Sequence, residues 1–153
     1  TPLGKPRTIQ IQVISGHCLP KPKGEKVGEA IDPYVRVELH DVRTCSDGRE
    51  EYVSDDCQTS VVKNNGFCPS WNSGEYKSFQ VHNPDVAMFY FQVLDEDLGL
   101  DDKIASAAIP VNCLREGYRS ISLCSGHGSH LPSGPFEYAC LLVRIHFDEI
   151  DGA

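Results

Sequence analysis

Apolar and polar residues alternate with a period of two along four segments of the chain. Such alternation is typical of a strand that places one face on a core and the other in water. Each of the four segments is therefore predicted to be a β-strand. The alternating apolar positions are Ile9, Ile11 and Val13; Val35, Val37 and Leu39; Phe89, Phe91 and Val93; and Leu141, Val143, Ile145 and Phe147.

Four further segments are weaker strand candidates, and clusters of Gly, Pro, Asn and Asp separate the eight candidates from one another. A single helical turn is predicted at Val111–Glu116, and Cys124–Pro135, rich in Gly, Ser and His, is predicted to be a mobile loop. Many short strands joined by turns predict an antiparallel sandwich. The weaker candidates are Cys57–Val62, Tyr76–Val81, Ile104–Pro110 and Tyr118–Leu123.

Composition narrows the function classes. A chain of 153 residues with 40% hydrophobic and 24% charged residues suits one globular domain. No apolar run approaches the roughly 20 residues that a membrane-spanning helix needs. The formal net charge of −8 disfavours nucleic acid as a partner, and it disfavours simple adhesion to anionic lipid unless a cation intervenes.

The cysteines and the missing catalytic motifs carry two further predictions. Seven cysteines without a Cys-x-x-Cys pair favour a reducing, cytoplasmic compartment over a disulfide framework. Cys124, His127 and His130 have the spacing of zinc ligands but lack a fourth ligand nearby, so their role stays open. Since there is no Gly-x-Ser-x-Gly motif and no phosphate-binding Gly loop, we expect no enzymatic activity in this chain.

An acidic segment from Asp95 to Asp102 follows one of the predicted strands and contains two leucines. Carboxylates crowded on a loop repel each other, and a hard cation such as Ca²⁺ is the usual remedy. An EF-hand fits poorly, because positions 6 and 12 counted from Asp95 are Leu100 and Ser106. Apolar tips beside a cation site indicate a membrane partner; a merely solvated acidic loop is the alternative.

Four stretches in this order resemble a C2 domain, and the resemblance covers the chain from about Arg7 to Phe147. The third stretch, Asn-Asn-Gly-Phe-Cys-Pro-Ser-Trp-Asn, together with Gly117-Tyr118-Arg119, resembles the subgroup found in phosphoinositide-specific phospholipase C. The four stretches are Ile14–Pro20; Ile31–Val37, with its Asp-Pro-Tyr-Val; Asn64–Asn72; and Val93–Asp97 with Asp102–Ile104.

The resemblance implies a fold and a place in a larger protein. The expected fold is an eight-stranded antiparallel β-sandwich (Greek key) with the phospholipase C-type (type II) topology, whose first strand would be Arg7–Ser15. We expect one C2 domain over residues 1–153, with its core at about 7–147. The chain begins with Thr1 rather than Met, and we expect it to be the C-terminal part of a larger phospholipase.

The resemblance also implies a Ca²⁺ site between three loops at one end of the sandwich. Loop 1 is the segment that precedes Pro33, loop 2 surrounds Asn64, and loop 3 runs from Asp95 to Asp102. Because loop 3 is one residue shorter than usual, Asp101 competes with Asp102 for the last position. Loop 1 lacks an early Asp, for which Glu25 or Glu29 could substitute. The implied ligands are Asp32, Asn64, Asp95, Asp97 and Asp102.

The implied function is an electrostatic switch, in which bound Ca²⁺ inverts the sign of the acidic loops beside an anionic membrane. Such a module would dock or orient a phospholipase C, as a monomer peripheral to the membrane. The alternative is a Ca²⁺-independent module that packs against the catalytic domain of the same polypeptide or binds another protein. The residues expected to contact the membrane are Leu98, Leu100 and Phe67, with Lys21, Lys23 and Lys26 attracting headgroups.

Overall fold

The structure, a computed structural model, describes residues 4–20, 30–71, 76–125 and 138–148. Within these ranges it contains nine strands and one short 3₁₀ turn, Val111–Cys113. The strands are β1 (Arg7–His17), β2 (Pro33–Thr44), β3 (Glu50–Gln58), β4 (Lys77–Val81), β5 (Met88–Asp95), β6 (Asp102–Pro110), β7 (Gly117–Ser122), β8 (Cys124–Ser125) and β9 (Cys140–Asp148).

The strands form two antiparallel sheets, one in the order β4-β1-β9-β7 and the other in the order β3-β2-β5-β6-β8. Their inner faces share one hydrophobic core. Phe79 of the first sheet packs edge-to-face on Phe89 of the second, with ring centroids 5.1 Å apart. The alternating apolar residues of the four strongest predicted strands are buried in this core, except Phe147, which is partly buried. The predicted antiparallel β-sandwich is confirmed, but the described residues form nine strands and not the predicted eight, because the short β8 adds one.

One predicted strand lies elsewhere. The sequence predicts a strand at Cys57–Val62, whereas β3 begins at Glu50 and ends at Gln58. Among the described strands, β3 pairs with β2 alone and lies at an edge of its sheet. No residue of β3 is fully buried, so its sequence carries charged residues in place of the apolar alternation. The pattern of burial, which strand prediction depends on, is missing there.

Two shorter segments also differ from the prediction. The turn predicted at Val111–Glu116 is a 3₁₀ turn that ends at Cys113, since Leu114 already has extended backbone angles. β8 falls at the start of the predicted loop Cys124–Pro135 and pairs with β6. The rest of that loop, with His127 and His130, lies outside the described residues. Among the described residues, no helix is long and apolar enough to cross a bilayer.

The sheet register places loops 1 and 3 at one end of the sandwich. Pro33, which begins β2, is paired with Asp95, which ends β5. Asp95 is also paired with Asp102, which begins β6. The segment that enters β2 and the loop that joins β5 to β6 therefore leave the second sheet side by side.

Candidate cation and membrane site

Asp32 and Asp95 join loop 1 to loop 3. The backbone N–H of Asp32 donates a hydrogen bond to Oδ1 of Asp95 at 2.8 Å. In return, the N–H of Glu96 donates to the carbonyl oxygen of Asp32 at 3.0 Å. The two loops therefore converge, and two of the predicted ligand residues lie next to each other.

Loop 2 joins the same site through Asn64. Its backbone N–H donates to Oδ1 of Asp32 at 2.8 Å, while its side chain is exposed. Asn64 has a φ of 53°, a region that Asn tolerates better than most residues. A Cβ placed on Gly66 would lie 2.5 Å from Cγ1 of Ile31, so loops 1 and 2 pack too closely for any larger residue there. Asn64 thus has an observed backbone role beside its predicted role as a ligand.

Asp101 is engaged within the loop system. Its Oδ2 accepts a hydrogen bond from the hydroxyl of Tyr34 at 2.5 Å, and its Oδ1 accepts one from the N–H of Asp97 at 3.1 Å. The hydrogen bond from Tyr34 lowers the pKa of Asp101. Burial, together with Asp101, raises the pKa of Tyr34 to about 12. Asp101 therefore anchors loop 3, which makes Asp102 the better candidate for the last ligand position.

The candidate carboxylates form one electrostatic group. Burial raises the pKa of Asp95, and the negative charges of Asp32, Asp102 and Asp97 raise it further against the opposing hydrogen bond from Asp32. In the described part of the chain, however, no three His, Cys, Asp or Glu side chains are arranged closely enough to hold a metal ion. Oxygen donors of this kind suit Ca²⁺, but their side chains would have to rotate to enclose one.

A lysine without a role in the sequence-based prediction also lies in the site. The ammonium of Lys63 is 2.6 Å from Oε1 of Glu96 and 3.8 Å from Oδ2 of Asp32. The hydrogen bond to Glu96 raises the pKa of Lys63. The only sequence signal was a basic residue directly before Asn64.

Three exposed apolar side chains lie on loops 2 and 3. Leu98 and Leu100 of loop 3 are 106% and 93% exposed, and Phe67 of loop 2 is 73% exposed. Neither leucine packs back on the sandwich. Trp71, by contrast, is buried and donates from Nε1 to the carbonyl oxygen of Pro33 at 3.0 Å. Trp71 is therefore a structural anchor for loop 2.

The remaining predicted site residues lie in residues 21–29, outside the described part of the chain. They are the lysines predicted to contact headgroups, Lys21, Lys23 and Lys26, and the substitute loop 1 acids, Glu25 and Glu29.

A β-sandwich with acidic loops and apolar tips at one end is the architecture of a C2 domain. The family model for the C2 domain matches residues 7–123, and the chain belongs to this family. Its relatives include phosphatidylinositol-bisphosphate phosphodiesterases and an inactive phospholipase C-like protein. It is 39% identical over 147 residues to 1-phosphatidylinositol 4,5-bisphosphate phosphodiesterase delta-4 of Homo sapiens, a match that covers 95% of this chain and 18% of the relative.

Two other relatives also match nearly the whole chain but only a small part of their own length. The delta-1 phosphodiesterase of Rattus norvegicus is 36% identical over 149 residues, which are 97% of this chain and 18% of the relative. Inactive phospholipase C-like protein 2 of Mus musculus is 38% identical over 142 residues, which are 92% of this chain and 11% of the relative. The chain therefore spans less than a fifth of these relatives.

Solved structures share the fold. A C2 domain of plant Extended Synaptotagmin 1 matches with a TM-score of 0.66 and 18% identity, over 95% of this chain and 97% of that one. PLC21 of L. pealei matches with a TM-score of 0.65 and 23% identity, over 96% of this chain and 16% of that one.

Proposed function

We propose that this chain is a Ca²⁺-dependent membrane-docking module that orients a larger phosphoinositide phospholipase C at the membrane. The observation that carries the proposal is the convergence of three loops: the backbone N–H groups of Asn64 and Asp32 bind the carboxylates of Asp32 and Asp95, and loop 3 carries the exposed Leu98 and Leu100. The module works as a monomer, in the cytoplasm, and binds the membrane peripherally. The phosphodiester chemistry belongs to the catalytic domain of the same polypeptide, not to this chain.

The ligand set suits a hard cation. Ca²⁺ takes six to eight oxygens, and Asp32, Asp95, Asp97 and Asp102 with the amide oxygen of Asn64 supply part of that number. Backbone carbonyls, water or a lipid phosphate would supply the rest. The bound ion contributes positive charge, which offsets the repulsion between the acidic loops and an anionic bilayer.

The apolar tips add the second part of the binding. Complete burial of a leucine side chain contributes about 1.5–3 kcal/mol, at roughly 25 cal/mol per Å² of apolar surface. Leu98, Leu100 and Phe67 project from loops 3 and 2 and would enter the interface between headgroups and acyl chains. Lys21, Lys23 and Lys26 would add about 1 kcal/mol each where they approach anionic headgroups.

The test is co-sedimentation with vesicles of phosphatidylcholine and phosphatidylserine, in Ca²⁺ and in chelator. We expect wild type to bind only with Ca²⁺, and Asp95→Asn/Asp97→Asn to lose at least tenfold in affinity. The control, Asp55→Asn/Asp56→Asn, removes the same charge from edge strand β3 and should bind as wild type does. Unchanged Ca²⁺-dependent binding by the Asp95/Asp97 variant would refute the proposal.

A second variant separates the ion from the membrane. Leu98→Ser/Leu100→Ser removes apolar surface from loop 3 without touching a candidate ligand. It should bind Ca²⁺ in calorimetry with wild-type affinity and yet bind vesicles at least tenfold more weakly. Equal vesicle binding would mean that the leucines do not enter the interface.

One observation favours the second candidate function, a Ca²⁺-independent module that packs against the catalytic domain or binds another protein. The ammonium of Lys63 neutralises part of the charge of the acidic site. Vesicle binding in neither condition, by a folded chain, would support this function. A segment similar to this chain also occurs in a relative that is named inactive phospholipase C-like protein 2. A domain of this type is therefore not confined to relatives named as phosphodiesterases.

A further inference from the structure

We propose that Lys63 is a tethered counter-cation that competes with Ca²⁺ for Asp32 and so raises the Ca²⁺ concentration at which the site fills. The inference rests on the proposed function, because it concerns the same site. It assigns to loop 2 a regulatory residue in addition to the predicted ligand Asn64.

Both carboxylate oxygens of Asp32 already have partners. Oδ1 accepts the backbone N–H of Asn64 at 2.8 Å, and Oδ2 lies 3.8 Å from the ammonium of Lys63. The first contact is part of the backbone junction between loops 1 and 2. The second involves a flexible side chain, so it is the one that an incoming cation would replace.

Glu96 holds the ammonium in place. Its Oε1 lies 2.6 Å from Nζ of Lys63, and its backbone N–H donates to the carbonyl oxygen of Asp32 at 3.0 Å. Glu96 stands between Asp95 and Asp97 in sequence but is not itself a candidate ligand. Its carboxylate therefore keeps the ammonium beside Asp32 without contributing to the ligand set.

The competition follows from charge. An ammonium and a divalent cation that share one carboxylate repel each other, and the repulsion is greatest at contact distances. Because the side chain of Lys63 is 62% exposed, it can leave the site without any movement of the backbone. Lys63 is thus a displaceable competitor and not a permanent block.

Lys103 provides a matched control. It follows Asp102 directly, but its ammonium lies 3.0 Å from the hydroxyl of Tyr90 and over the ring of that tyrosine. Lys103→Gln therefore removes one positive charge from the same end of the second sheet without freeing a candidate ligand. Lys63→Arg keeps the charge at position 63 and serves as the conservative variant.

The experiment is calorimetric titration of the metal-free 153-residue chain with CaCl₂, without lipid. We expect Lys63→Gln to lower the dissociation constant for Ca²⁺ roughly threefold to fivefold, in keeping with the modest strength of exposed ion pairs. Lys63→Arg and Lys103→Gln should stay within about twofold of wild type. The rise in melting temperature at a fixed Ca²⁺ concentration should follow the same order.

The outcomes distinguish this inference from the proposed function. If wild type binds Ca²⁺ and Lys63→Gln binds no tighter, or if Lys103→Gln gains as much, the inference is overturned and the proposed function stands. If only Lys63→Gln binds, Lys63 is a permanent block and not a displaceable competitor, so the inference is overturned and the Ca²⁺-dependent function fails for the natural chain. If neither wild type nor Lys63→Gln binds while both are folded by circular dichroism, both proposals are overturned.

Discussion

Two aspartates of the second sheet are buried, but they differ in their hydrogen bonds and in the charges around them. Asp41 of β2 is 2% exposed and Asp95 of β5 is 7% exposed. Asp41 accepts backbone N–H groups from Val42, His82 and Asn83 at 2.7, 2.6 and 3.2 Å. Asp95 accepts one, from Asp32, and its burial, together with the charges of the carboxylates around it, raises its pKa.

The difference separates a structural carboxylate from one that is available to a ligand. A buried charge is tolerated when hydrogen bonds replace its water, and three N–H donors do this for Asp41. His82 and Asn83 follow β4 of the first sheet, so Asp41 links the two sheets. Asp95 lacks such compensation, and its neighbours make its charge more costly. A cation is what would make that arrangement favourable, and substitutions at the two aspartates should therefore act in opposite directions.

The largest effect is expected at Asp41. Asp41→Ala should lower the free energy of unfolding by about 3 kcal/mol, because three backbone N–H groups lose their acceptor in a buried place. Urea denaturation measures the loss. Asp41→Asn keeps one side-chain oxygen and should lose less, and Ca²⁺ affinity should not change in either variant. A loss below about 1 kcal/mol for Asp41→Ala would mean that Asp41 is not a structural carboxylate.

At Asp95, the change in the free energy of unfolding is expected to have the opposite sign. In metal-free protein at neutral pH, Asp95→Asn should raise the free energy of unfolding, because the amide keeps an oxygen for the N–H of Asp32 and removes a buried charge. The pKa of Asp95 is raised in the folded state above its ordinary value of 3.8. Between these two values the folded state binds more protons than the unfolded state, so stability falls as pH rises through this window.

This pH dependence of stability predicts how wild type and Asp95→Asn compare at different pH values. The advantage of Asp95→Asn over wild type should be complete above the raised pKa and should shrink as pH falls toward the ordinary value. This difference in stability is measured from the urea midpoints of both proteins, from about pH 7 down to about pH 4. The contributions of the other titratable groups are the same in both proteins and cancel in the difference. A variant less stable than wild type at neutral pH would make Asp95 a structural residue like Asp41.

The sequence predicted the features that depend on pattern and missed those that depend on side-chain contacts. Alternation located the strands with a buried face, and β3 was misplaced because an edge strand without a buried residue has no such pattern. The convergence of Asp32 and Asp95 was implied by the C2 resemblance. The contact between Lys63 and Glu96 joins side chains 33 positions apart and could not be read from sequence spacing.

Asp41 shows that one such signal was available. It continues the alternation of Val35, Val37 and Leu39 along β2, so a period of two already places its carboxylate on the inward face. A charged residue at an inward position requires compensating hydrogen bonds. Which groups provide them is a tertiary fact, because His82 and Asn83 reach Asp41 from the other sheet.

The smallest expected effect concerns Tyr34, which anchors loop 3 to the end of the second sheet through Asp101. Tyr34→Phe removes one hydrogen bond and should lower the free energy of unfolding by about 0.5–1.5 kcal/mol at neutral pH. Burial, with Asp101, raises the pKa of Tyr34 from 10.0 to about 12. In that window the folded state keeps a proton on Tyr34 that the unfolded state releases, so wild type loses this contribution to stability as pH rises, and Tyr34→Phe, which lacks the group, does not.

The difference between wild type and Tyr34→Phe should therefore shrink above about pH 10, as measured by urea midpoints. Ca²⁺ affinity should fall by about twofold to fivefold, because Asp97 donates its N–H to the same carboxylate and loop 3 would lose an anchor. If loop 3 holds its ligands without Tyr34, affinity will be unchanged while stability still falls. That result would mean that Tyr34, like Asp41, stabilises the fold without contributing to Ca²⁺ binding.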